Sequence, residues 1–126
     1  MIAFSIKENI YNIPLEVIIG TWEYQNEYLL KKYGLAEREQ INFGAESLIL
    51  TNKGNAITVV WLPEFKYENI DNMVTLIHEL DHVGFYILEH INIPILDNSP
   101  NHAYIYLKEY FTKKALKKLK RLTNDN

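Results

Sequence analysis

Apolar residues recur at Ile70, Met73, Val74, Ile77, Leu80, Gly84, Leu88 and Ile91, and this series constrains the fold more than anything else in the chain. The i, i+3, i+4 spacing runs over more than five turns and demands a long amphipathic helix. Polar residues from Tyr67 to Asn72 open it, so the helical segment is expected over 67–93. The apolar stripe must bury against the rest of the chain. Its borders are not apolar: His78, His82, Tyr86 and Glu89 fall along one edge, which predicts a helix that meets a cleft there.

Within that helix the residues His78-Glu79-Leu80-Asp81-His82 place two imidazoles four positions apart with a carboxylate after the first. Positions i and i+4 stand one above the other, so both rings can reach one cation at about 2.0–2.1 Å. Glu79 points roughly 100° round from His78, near enough to take a proton without being a ligand. The pattern is that of a zinc-dependent hydrolase, in which the metal makes a water acidic and the glutamate acts as general base. A polar helix face filled by chance is the alternative, and the placement of all five residues within one long helix weighs against it. Asp81 projects toward the apolar stripe, and a buried carboxylate is costly without a partner, so a fixed structural partner is expected.

A third protein ligand is needed. The spacing that would put Gly at 85 and His at 88 fails, since Phe85 and Leu88 stand there, which excludes the metzincin pattern. A ligand from a second helix is the remaining route. Asp97 to His102 reads as a loop closing into a helix start, with Ser99 as N-cap and Pro100 as first helical residue. His102 then lies in the first turn, with Tyr106 one turn on and on the same face. The alternative to a ligand at His102 is a first-turn histidine facing solvent. His90 and Glu89 read as surface residues near the helix end, although Glu89 projects close to His82.

Three stretches together carry a resemblance: Thr75 to His82, the Ile-Leu-Glu-His-Ile-Asn-Ile run at 87–93, and Asn101-His102-Ala103-Tyr104-Ile105-Tyr106-Leu107. The chain resembles small phage- and prophage-encoded proteins of the zincin type, minimal gluzincin-like metallopeptidases. The resemblance covers about the last 60 residues well and the first half in outline. In such proteins the second segment reads Asp-Glu-Ala-Tyr-Ala-Tyr, and its glutamate is the third zinc ligand. Aligned on Ala103, Tyr104 and Tyr106, His102 occupies that glutamate's position. The resemblance therefore implies one Zn2+ held by His78, His82 and His102, a set known in catalytic zinc proteins. Glu79 would be the base, and Tyr106, or less readily Tyr104, a hydrogen-bond donor to the oxyanion. With nine tyrosines in the chain, either is equally at home in the core.

Composition fits one domain. At 126 residues and 48% hydrophobic content the chain can bury a core without staples, and the lack of cysteine excludes disulfides and thiolate zinc sites. No basic segment followed by an apolar run opens the sequence, and no stretch approaches about 18 consecutive apolar residues. A cytoplasmic protein without a membrane partner is expected; no feature assigns an oligomeric state. Net charge is −3, from 13 basic and 16 acidic residues. Lys113, Lys114, Lys117, Lys118, Lys120 and Arg121 cluster, leaving 7 basic against 16 acidic residues elsewhere, a balance of −9. One short basic helix without interleaved aromatics reads as a solvated end that complements the helix dipole, which argues against nucleic acid as a partner.

The first half, 1–66, is expected to supply a sheet, a hairpin and a helix. Strands are predicted at 2–7 and 14–19. Thr21 caps a helix stopped at Tyr33-Gly34, and residues 47–52 and 56–62 form a hairpin through Lys53-Gly54-Asn55 that ends at Pro63. A C-terminal helix over 99–121 carries His102. The whole is an α+β, minimal zincin-like domain with a small mixed or antiparallel sheet. A sheet edge beside the metal helix would pair with an extended peptide by backbone hydrogen bonds, making a peptide or protein the expected substrate. The competing expectation is a non-catalytic binding or regulatory protein on the same scaffold, with structural metal or none.

Overall fold

A computed structural model describes residues 1–41, 44–94 and 101–124. Four strands and three helices follow in the order β1 (Ile2–Ile6), β2 (Leu15–Ile19), α1 (Trp22–Tyr33), β3 (Glu46–Asn52), β4 (Asn55–Leu62), α2 (Ile70–His90) and α3 (His102–Asn124). The fold is α+β with a mixed sheet. Strand order is β1-β2-β4-β3: β1 runs antiparallel to β2, β2 parallel to β4, and β3 antiparallel to β4. The sheet edges are therefore β1 and β3.

Local chemistry accounts for most element ends. Thr21 caps α1, its Oγ1 accepting the Tyr24 N–H at 3.1 Å, and Gly34 closes it in the left-handed conformation at φ 70°. Lys53 and Gly54, at φ 52° and 83°, form the two-residue turn of the β3–β4 hairpin, where Asn52 pairs with Asn55. Asn69 caps α2 by accepting the Asn72 N–H at 3.0 Å. The Ser99 cap and Pro100 start expected for α3 lie outside the described residues. In the helix observed, Asn101 Oδ1 accepts the Tyr104 N–H at 3.0 Å, which makes Asn101 the cap and His102 the first helical residue.

Period-2 alternation sorts the central strands between two layers. Ile18, Ile57, Val59 and Trp61 face α1 and meet Trp22 and Leu29. The Trp22 and Trp61 rings meet edge to face at 5.1 Å. Leu15, Val17, Ile19, Val60 and Leu62 face the other way, onto Leu76, Leu80, Val83 and Ile87 of α2 and Leu107, Phe111, Ala115 and Leu119 of α3. α2 lies against β3 and β4, and α3 packs along α2 and reaches β1. Gly84 permits the helix contact: a Cβ there would stand 3.1 Å from the Tyr104 ring. No described helix is long and apolar enough to cross a membrane.

Candidate metal and catalytic residues

The buried stripe of α2 is Leu76, Leu80, Val83, Gly84, Ile87 and Leu88. It is narrower than the sequence pattern suggests, because Ile70 and Val74 are exposed. At roughly 100° per residue His78 and His82 project about 160° from Leu80, one on each side. The histidines thus stand on the outer face of α2 rather than at the edge of its stripe, with His78 exposed and His82 half-buried. They do stand together. His78 Nε2 and His82 Nε2 are 3.2 Å apart and the ring centroids 4.7 Å, while Tyr86 stacks on His82 at 6.0 Å. Two nitrogens bound tetrahedrally to one zinc lie roughly 3.3–3.4 Å apart, so the pair fits two positions of such a site.

Glu79 projects about 60° round the helix from His82 and about 100° from His78, and the residue is 8% exposed. No described residue gives it a hydrogen bond or an ion pair. Two other buried carboxylates behave differently. Glu8, 2% exposed, accepts the Ile10 N–H at 2.6 Å, the Tyr11 N–H at 2.8 Å and the Tyr106 hydroxyl at 2.9 Å. Glu16, fully buried on β2, accepts from Ser5, Tyr28 and Tyr33 and pairs with Lys32 Nζ at 2.6 Å. Burial works against the Lys32 charge, but Glu16 and Tyr28 outweigh it and hold the lysine above its ordinary pKa. Burial and the Glu16 carboxylate push the Tyr33 phenol up.

The α3 candidates fall elsewhere. His102 is exposed at the first position of α3, and among the described residues no group of three His, Asp or Glu side chains is placed to share one ion. Tyr106 donates to Glu8, and burial followed by that bond raises its phenol to about 12. Tyr104 lies on the α2 side, its ring 4.5 Å from Phe85. Burial, then the charge of Asp81, raises its pKa. Asp81, expected to have a structural partner, lies 3.2 Å from Lys108 Nζ, an ion pair between partly exposed side chains. His90 is exposed at the last position of α2. The six C-terminal cations form no ion pair among the described residues, and Lys114 lies over the Tyr110 ring at 5.7 Å.

The sequence reading missed the Glu8 and Glu16 networks. A signal existed for Glu16: it interrupts Leu15-Glu16-Val17-Ile18-Ile19, a run apolar enough to be buried on both faces. Glu8 gives no such sign, because the Tyr106 donor lies 98 residues away. Comparison with family models, with curated proteins and with solved structures finds no match for this chain.

Proposed function

We propose that the chain is a zinc-dependent peptide-bond hydrolase on a minimal zincin-like scaffold, of phage or prophage origin, acting on a peptide or protein in the cytoplasm. The observation that carries the reading is the 3.2 Å His78–His82 nitrogen pair on the helix that also holds Glu79, whose carboxylate has no protein partner among the described residues. A carboxylate not engaged by a protein donor is free to accept a proton from a bound water. His78 and His82 would hold the metal, with His102 as the third ligand of this reading. Bound zinc supplies Lewis acidity toward a water and the scissile carbonyl. Glu79 takes the proton of the attacking water and returns it to the leaving amine. The open edge of β3, beside α2, offers backbone N–H and C=O groups to an extended peptide. Tyr106 would serve the oxyanion only by exchanging Glu8 for substrate.

The positions of His102, exposed, and Tyr106, engaged by Glu8, favour a second reading: a non-catalytic binding or regulatory protein on this scaffold, its metal structural or absent. Elemental analysis of the purified chain after zinc loading and removal of excess separates the two. One zinc per chain, lost in both His78→Ala and His102→Ala, is the expected result. Zinc kept in His102→Ala removes that ligand from the set, and no zinc in the unsubstituted chain puts the second reading first.

A further inference from the structure

Beyond His82 the outer face of α2 opens into a groove of about 530 Å3 lined by Phe85, Glu89, Asn92, Ile93 and Pro94. Spacing sets its relation to the histidine pair. At 1.5 Å and roughly 100° per residue, Glu89 lies within about 20° of His82 and about 10 Å further along the axis. One wall is the Phe85 ring, held against Tyr104 at 4.5 Å. The opposite wall comes from the chain leaving the helix. Asn92 takes the left-handed conformation at φ 62°, and the Ile93 N–H bonds back to the Leu88 carbonyl at 2.9 Å, which brings Ile93 and Pro94 alongside.

Among the described residues the groove is lined by apolar side chains apart from Asn92 and Glu89. Glu89 is exposed and has no ion pair among the described residues. Its own helix offers no permanent cation, since α2 holds Asp71, Glu79, Asp81 and Glu89, with His78, His82 and His90 but neither Lys nor Arg. Lys108, the cation that α3 brings to α2, is engaged by Asp81. An apolar channel with one unneutralised carboxylate complements a side chain that has an aliphatic stem and a cationic head.

We propose that this groove is a specificity pocket and that the substrate is a cationic peptide segment. A lysine or arginine stem lies between Phe85, Ile93 and Pro94 and its head reaches Glu89. The inference rests on the hydrolase reading for the bond that is cut. Ten ångströms is about three residues of extended chain at roughly 3.3 Å each, so the preference falls at one fixed position within about three residues of that bond.

The test uses decapeptides that each carry one Lys, Arg, Gln or Glu, stepped through every position. They are scored for cleavage by the zinc-loaded chain and for binding to its Glu79→Gln variant. Expected are a Lys or Arg preference of at least five-fold over Gln in binding, the same residue at a fixed place relative to each cut, and a switch toward Glu in Glu89→Lys with zinc content unchanged. Equal binding of all four series, or a Lys/Arg preference that survives Glu89→Lys, overturns the pocket. The reading beneath it fails separately, if the zinc-loaded chain cuts nothing that Glu79→Gln leaves intact; charge-selective binding then still decides the pocket.

Discussion

Glu16 and Glu79 are both buried glutamates, on opposite sides of one sheet, and their surroundings differ in kind. Glu16 sits under α1 with two tyrosines, a serine and a lysine directed at it, enough donors to replace the water it lost on folding. Glu79, on α2, has no donor from any described residue, and its carboxylate oxygens are not among the buried atoms left without a partner. The first arrangement stabilises a fold; the second leaves the carboxylate unengaged, as the proposed general-base role requires. Glu8 belongs with the first, its carboxylate fully engaged by two backbone N–H groups and Tyr106.

Exchanging each carboxylate for its amide breaks or sharpens this contrast. Glu79→Gln should lower hydrolysis by about 10²–10⁴-fold, the usual contribution of a general base, while the thermal midpoint stays level or rises. An unchanged cleavage rate would remove Glu79 from the mechanism, and a large loss of stability would place it with Glu16. Glu16→Gln should cost about 2–3 kcal/mol in denaturant unfolding, at the low side for a broken buried pair because Lys32 is 40% exposed. A cost below about 0.5 kcal/mol would mean that the network is incidental. Tyr33→Phe removes one donor, at 2.6 Å, and should cost about 1–2 kcal/mol by the same measurement.

The smallest effect concerns pH. The Tyr106 phenol, raised to about 12, favours the folded state while protonated. That contribution is present below the ordinary tyrosine pKa of about 10 and is lost as pH climbs from there through about 12. A phenolate absorbance titration should therefore show one fewer late-ionising tyrosine in Tyr106→Phe than in the unsubstituted chain, in which Tyr33 and Tyr104 are also raised; identical curves would detach Tyr106 from Glu8.

The legible parts of the fold were those encoded within a few residues. Thr21, Gly34 and the Lys53-Gly54 turn each act through a backbone conformation or a cap of their own, and α2 declares itself by period. Sheet order was not legible, because the β2–β4 pairing depends on which faces α1 and α2 leave uncovered. The histidine pair was legible as a pair, since i, i+4 spacing is local; its outward direction was not, because only packing decides which part of an apolar stripe is buried. Ile70 and Val74, apolar yet exposed, mark where pattern and packing part. His102 shows the same limit: its type and helix were readable, but its position relative to α2 depends on a crossing of two helices.

The parallel seam between β2 and β4 also orders events in time. Thr58 bonds the Pro14 carbonyl across 44 positions of chain, so this pairing waits on closure of a long loop, whereas the β3–β4 hairpin closes through two residues. The hairpin is therefore expected to assemble early, and the β2–β4 seam to close later. The two histidines and Glu79 lie on α2, which packs against that hairpin, so the long-range closure expected to be slowest involves a strand, β2, that carries none of them.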